Sequence, residues 1–228
     1  MKPTFDWWTK PRTISVVVDN PSWVLPYAER LVAWAISNGD QARLCRSHEE
    51  ISDGGVTFYL GCVTITPPAV LAKNHRNLVV HASDLPEGRG FSPLSWMIIE
   101  GHNDIALCLL DAADEVDSGP IVYRDHVNFE GHELIEELHQ CLGAMQIALC
   151  QRFLEADTPA EGQPQEGEPT RYARRFPKDS QLDPNATIAD QFDLLRTVDN
   201  EKYPAFFVHR GHRYHLTIRK VDKEKQAP

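Results

Sequence analysis

Apolar positions in this chain switch between two periods, and the switches mark out its elements. The stretch TISVVVDN after Arg12 is a continuous run of largely β-branched residues closed by turn formers, which predicts a strand covered on both faces. From Trp23 to Ser37, Val24, Tyr27, Leu31 and Trp34/Ala35 recur at helical spacing, and Asn38-Gly39 supplies the stop. Short strands follow at Ala42–Cys45 and Val56–Leu60, then a helix opening at Pro67-Pro68 and a strand at Leu78–His81. Two more strands are predicted at Asp104–Asp111 and Ile121–Phe129. Leu134, Leu138, Cys141/Leu142, Met145 and Leu149 then form one stripe along about six turns of helix from Glu133 to Glu155, enough to cover a sheet face. Alternation at these lengths predicts an α/β fold, an open and mostly parallel sheet with helices on both faces.

Residues 158–170, TPAEGQPQEGEPT, break the pattern. They are rich in Pro, Gly and acid, with no apolar residue larger than alanine, which is the composition of a flexible linker. Beyond them Ile188, Phe192 and Leu195 mark a short helix, and AFFVHRGHRYHLTIRKV alternates about Arg210-Gly211 as a β-hairpin does. The expected division is a main domain over 1–157, a linker over 158–170, and a small extension over 171–228 packed back on the first.

Composition narrows the class. Of 228 residues, 42% are hydrophobic and 25% charged, which excludes collagenous and wholly disordered chains. With 33 acidic against 23 basic residues the net charge of -10 repels polyanions, so a small-molecule substrate is expected and a nucleic acid is not. No apolar run approaches the ~20 residues of a membrane span, and MKPTFDWWTKPRT lacks the apolar core of a signal peptide, so a cytoplasmic protein without membrane contact is expected. The five cysteines include no CxxC pair and read as reduced thiols rather than disulfides or a zinc site. Trp7-Trp8 reads as an N-terminal anchor or a subunit contact, with a homodimer left open.

The chemistry concentrates in one segment. His81 ends a predicted buried strand, a Gly-rich loop follows, and Asp117 sits in the turn VDSGP before the next strand; the carboxyl ends of strands are where an open α/β sheet binds its ligand. His81, Ser83-Asp84-Leu85-Pro86, Arg89-Gly90 and Asp117-Ser118-Gly119, with Asp117 standing 36 residues after His81, resemble the catalytic domain of folate-dependent formyltransferases. The similarity runs from about Phe58 to Val127 and resumes at RYARRFPKDSQLD and at DLLRTVDNEKYPAFFVHRGHRYHL, which look like the family's sugar-nucleotide branch.

The resemblance implies a Rossmann-like catalytic domain over 1–157 and transfer of a formyl group from 10-formyltetrahydrofolate, without a metal, to the amino group of a nucleotide-linked amino sugar. His81 and Asp117 are the implied catalytic residues. Cys62, Val63, Thr64, Ile65, Thr66 and Gly119 are implied to hold the folate, and Asn20, Ser22, Arg89, Arg196, Asn200 and Tyr203 the acceptor. Histidine titrates near neutral pH and can move the amine's proton or stabilise an oxyanion, while an aspartate orients and supports it. One position departs from the pattern: Val79 stands where the family has an asparagine that donates to the formyl oxygen, a donor whose loss costs on the order of a hundredfold in rate. Ser83, Asn77 or a backbone N–H are the local substitutes. A folate- or nucleotide-binding protein with impaired catalysis is the rival reading, and methionyl-tRNA or another amine the rival acceptor. Arg174-Arg175 reads either as a phosphate-binding pair or as a surface charge run.

Overall fold

The computed structural model describes residues 5–221. The strands are β1 (Thr13–Val17), β2 (Gln41–Cys45), β3 (Val56–Leu60), β4 (Arg76–His81), the two-residue β5 (Arg89–Gly90), β6 (Asp104–Asp111) and β7 (Ile121–Asn128). Six of them make one sheet in the order β2-β1-β3-β4-β6-β7. The first four neighbours are parallel, and β6 is antiparallel to both β4 and β7, so β6 alone is reversed. The mostly parallel α/β sheet expected from the alternation is the observed one.

Period-two alternation sorts the sheet's two faces. Ile14, Val16, Phe58, Leu60, Leu78, Val80, Leu107 and Leu109 face the large core, which α1 (Leu25–Ser37), α3 (Pro93–Ile99) and α4 (Ile135–Glu155) complete with Leu31, Ile98, Leu138 and Phe153. Val17, Tyr59, Val79, Cys108 and Leu110 face the other way, where the cover is the one-turn α2 (Pro68–Leu71) together with Ile51 and Leu85 from loops. Helices therefore occur on both faces, but the long ones all lie on one. The helix predicted at Pro67-Pro68 stops after one turn, because the chain must return at once to enter β4.

A buried ion pair ties three elements together at the amino end of β1. Arg12 donates through Nη2 and Nε to the Asp40 carboxylate at 2.7 and 3.0 Å, and through Nη1 to the carbonyl of Leu154 at 2.7 Å. The turn after α1 and the end of α4 are thus locked to the first strand. Trp8 stacks against the Arg12 guanidinium, packs edge-on to Phe153 and donates its indole N–H to Ala156, so it anchors the N-terminal segment in the core. Trp7 lies flat on His75.

The predicted linker is not a free tether. The Ala160 carbonyl accepts from Arg76, Gln163 exchanges both backbone hydrogen bonds with Ile121, Gln165 binds the loop before β7, and Arg171–Tyr172, which is β8, pairs in parallel with β5. Composition pointed to a linker because the segment has no apolar residue larger than alanine; it is held by polar and backbone bonds that hydrophobicity does not register, with Ala160 packed against the core. The extension adds α5 (Phe192–Leu195) and a hairpin of β9 (Ala205–His209) and β10 (His212–Leu216), turning at Arg210-Gly211 where both residues have positive φ. Its small core of Leu182, Leu195, Val198 and Ala205 leans on the main domain through Arg196, which binds Asn103. No helix among the described residues is long and apolar enough to cross a membrane.

Removing one partner of a buried pair strands the other charge, at a cost of about 3–5 kcal/mol. Asp40→Ala should lower stability by about that much, read as a fall in urea midpoint at unchanged slope, with Arg12→Ala giving a comparable loss.

Candidate functional site

The carboxyl ends of β1, β3 and β4 open into a cavity of about 670 Å³. Its wall includes Asn20, Ser22 and Trp23 after β1, Cys62–Thr66 after β3, and Val79–Ala82 at the end of β4. Asp117, the α4 residues Ile135, His139, Leu142 and Gln146, and Arg174, Lys202 and Tyr203 complete it. That volume is within the ordinary range for a small-molecule site.

The loop after β3 is shaped by Asp19, a residue the sequence reading passed over. Its carboxylate accepts from the backbone N–H groups of Val63 (3.0 Å) and Thr64 (2.8 Å), while Asn20 reaches across to the Gly61 carbonyl. Burial works to raise the Asp19 carboxyl, but the hydrogen bonds from Asn20, Val63 and Thr64 outweigh it and hold it below its ordinary value. Burial dominates at Cys62, whose thiol is pushed up to about 12, so this cysteine is not a nucleophile at neutral pH.

His81 and Asp117 come together, each side chain 7% exposed. His81 Nδ1 lies 3.4 Å from Asp117 Oδ2, and Nε2 lies 2.8 Å from the Gly88 carbonyl. A carbonyl only accepts, so Nε2 carries the hydrogen. Asp117 has φ 57°, a left-handed conformation in which aspartate is enriched among non-glycine residues. Three bonds hold it there. Its Oδ2 accepts from Gly90 N–H at 2.9 Å, and Gln165 Nε2 donates to the carbonyls of Asp117 and Gly119 at 2.7 and 2.9 Å. Gln165 Oε1 in turn accepts from Arg89 at 2.7 Å.

Several expected ligand contacts lie elsewhere. Arg89 is buried against Gln165 and does not line the cavity. Arg196 is fully buried, bound to Asp193 and Asn103 with Glu133 nearby, and cannot reach a ligand. Asn200 closes on Ile218 through both backbone groups. Gly119 is no part of the wall; a Cβ there would meet the Asp111 carbonyl at 1.8 Å, so its glycine serves the turn. Asn20, Ser22, Tyr203 and residues 62–66 do line the cavity. Arg174 is exposed on its rim, whereas Arg175 is buried against the Thr197 carbonyl and Ser180.

Val79 presents an apolar surface packed with Leu85, Cys108 and Leu110. Neither side-chain substitute is free: the Asn77 amide is held between Tyr59 and the Leu71 carbonyl, and the Ser83 hydroxyl donates to the Glu87 carbonyl. Among the described residues no three of His, Cys, Asp or Glu gather as a metal site would require.

Residues 54–149 match the formyl transferase family. A methionyl-tRNA formyltransferase of Roseobacter denitrificans is 31% identical over 158 residues, covering 66% of this chain and 52% of the relative. The chain thus spans about half the length of that relative, and less of the next. Among solved structures, a methionyl-tRNA formyltransferase from Clostridium thermocellum superposes with a TM-score of 0.72 at 21% identity, covering 93% of this chain and 95% of that one. A candidate sugar N-formyltransferase from Mycobacterium tuberculosis gives 0.71 at 19% identity, covering 92% and 99%. HypX from Aquifex aeolicus in complex with tetrahydrofolic acid gives 0.69 at 15%, covering 88% and 36%. These likenesses establish a shared fold.

Gln165→Leu should loosen the Asp117 turn while leaving the sheet intact. The expected reading is an approximately five- to tenfold faster hydrogen exchange at Gly90 N–H, the worth of about one hydrogen bond, with exchange in β1 and β3 unchanged. His139 offers a second check. Burial pushes its imidazole down to about 4 from an ordinary 6.5. The unfolded chain therefore binds this proton first, and stability falls as pH drops from about 6.5 to 4. His139→Gln should flatten that slope in urea titrations at successive pH values.

Proposed function

We propose that the chain is a folate-dependent N-formyltransferase that moves the formyl group of 10-formyltetrahydrofolate to the amino group of a nucleotide-linked amino sugar. The observation that carries this reading is the buried His81–Asp117 pair on the same cavity as the 61–66 loop, within a segment matching the formyl transferase family.

In the proposed reaction the neutral amine attacks the formyl carbon, negative charge develops on the formyl oxygen, and the bond from carbon to the folate nitrogen N10 breaks. The amine loses one proton and N10 gains one. His81 is the cavity imidazole that a carboxylate faces, a side chain able to give or take a proton. Its Nε2–H, now given to Gly88, is the donor that turns to the formyl oxygen as charge develops there. Asp117, held by Gly90 and Gln165, faces Nδ1 and orients the ring. With Val79 apolar and Asn77 and Ser83 bound elsewhere, the oxyanion falls to His81 and backbone N–H groups.

The acceptor is argued from the rim. Arg174 and Lys202 line the cavity mouth, both exposed and without an acidic partner among the described residues, as suits the phosphates of a nucleotide. The size of the cavity, about 670 Å³, and the net charge of -10 favour a small molecule over a polyanion. The names of the sequence relatives favour methionyl-tRNA, which is the second reading.

Turnover is to be measured with 10-formyltetrahydrofolate against a panel of UDP- and dTDP-linked amino sugars and methionyl-tRNA. Formylation of an amino-sugar nucleotide is expected. Formylation of the tRNA alone would move the acceptor, and folate binding without any turnover would favour an impaired catalyst. His81→Asn and Asp117→Asn should each lower kcat by about 10²-fold or more with near-normal folate affinity, and the double variant should lose little beyond the worse single one.

A further inference from the structure

Helix α4 puts a polar pair where an apolar stripe is expected. Ile135, His139, Leu142 and Gln146, spaced four, three and four residues apart, share the helix face that lines the cavity. Gln146 is 5% exposed, makes no hydrogen bond among the described residues, and has its Oε1 both shielded from solvent and unpartnered. A buried amide with its bond unmade lowers stability, and an apolar side chain of the same size would not. The neighbouring helical positions follow the ordinary rule: Leu138, Leu149 and Phe153 are buried and apolar. Nothing in the fold uses the amide.

Its surroundings describe an inner lobe. Trp23, after β1, stacks flat on His139 at 4.1 Å, Val24 and Leu142 add apolar wall, and Asp199 and Lys202 are the charged groups near the imidazole. His139 also makes no hydrogen bond among the described residues, and burial keeps its ring neutral through most of the physiological range. A neutral imidazole and a carboxamide beside an aromatic face suit a polyhydroxylated ring better than a charged group: each can give or take one hydrogen bond, and neither brings net charge. The cationic rim at Arg174 and Lys202 belongs to the same cavity, so an acceptor with phosphates at the mouth could extend its sugar toward α4.

We infer that Gln146 is a specificity-determining residue for the acceptor, its amide exchanging a hydrogen bond with a hydroxyl of the sugar ring in the lobe between Trp23 and α4. The inference rests on the formyl-transfer reading and adds to it a contact that neither the sequence pattern nor the family resemblance marks.

The test compares the wild type with Gln146→Met, which keeps the volume and removes the amide. Three quantities are read: thermal midpoint, affinity for 10-formyltetrahydrofolate, and kcat/KM for the amino-sugar nucleotide that the wild type formylates best. Expected are an unchanged or raised midpoint, folate affinity within twofold, and acceptor kcat/KM lowered about 10- to 100-fold, mostly through KM. An acceptor analogue lacking a ring hydroxyl, taken in turn for each position, should at one position lose about tenfold with the wild type and nothing further with the variant. Unchanged kcat/KM would mean that the amide meets only water, and would overturn the inference. So would a lowered midpoint with folate affinity falling alongside, the mark of a structural glutamine. A wild type that formylates no amino-sugar nucleotide would overturn the inference together with the acceptor assignment. A wild type that formylates one while Gln146→Met does so equally well removes the inference alone.

Discussion

Everything at the site depends on one turn being held in an unfavourable backbone conformation. Asp117 sits at positive φ, and the hydrogen bonds that keep it there come from different parts of the chain. Gly90 donates to its carboxylate, and Gln165 spans the carbonyls on either side of Ser118. Arg89 fixes Gln165, and Thr170 receives the N–H of Gly88, whose carbonyl takes the other side of His81. The imidazole thus donates from Nε2 to Gly88 and faces Asp117 with Nδ1 at 3.4 Å, and both of those residues are themselves bound to the 160–172 segment. Preorganisation of this kind means that the His81–Asp117 pair need not be assembled when a ligand arrives.

The cavity divides its chemistry by position. The loop after β3 is tied down by Asp19, which takes the N–H groups of Val63 and Thr64 and so fixes this part of the wall. Toward α4 the wall carries Ile135, Leu142 and two polar groups, and the charged part of the wall sets Arg174 and Lys202 beside Asp199. In a chain with a net charge of -10, Arg174 and Lys202 stand unpaired at the cavity, where an anionic group would find them. This placement of cations on the cavity wall is what supports an acceptor with phosphates at one end.

The sheet was legible because buried strands and a long amphipathic helix write their periods into the sequence. TISVVVDN and VTFYL become β1 and β3, and the stripe from Leu138 to Phe153 becomes α4. The pairing of His81 with Asp117 was legible from the family resemblance and the strand-edge rule. The 158–170 segment was misread as a linker because its attachments are made by backbone groups and by Gln165, and composition is blind to both. Arg196 and Asn200 looked like ligand contacts because a polar side chain in a short helix carries no sign of which way it faces. The structure turns Arg196 inward to Asn103 and spends Asn200 on Ile218, so both hold the extension in place. Gln146 left no mark, being one of two polar residues on a helix face shared with Ile135 and Leu142.

Val79 gives the site its own character. An asparagine at this position of β4 would share a strand face with Asn77 and His81 and would add a donor beside the pair. Valine instead joins Leu85, Cys108 and Leu110 in an apolar cluster under the cavity floor, where an unpartnered amide would be costly to bury. The polar neighbours that might compensate are committed: Asn77 braces Tyr59 and α2, and Ser83 closes the turn that leads to Gly88. The side chain left at this edge to meet a developing oxyanion is thus His81, whose only present use for Nε2–H is the Gly88 carbonyl. Under the formyl-transfer reading, the loss of one donor concentrates both proton handling and charge stabilisation on a single imidazole. Asp117 and Gly88 meet that ring directly, and Gly90, Gln165 and Thr170 brace those two residues.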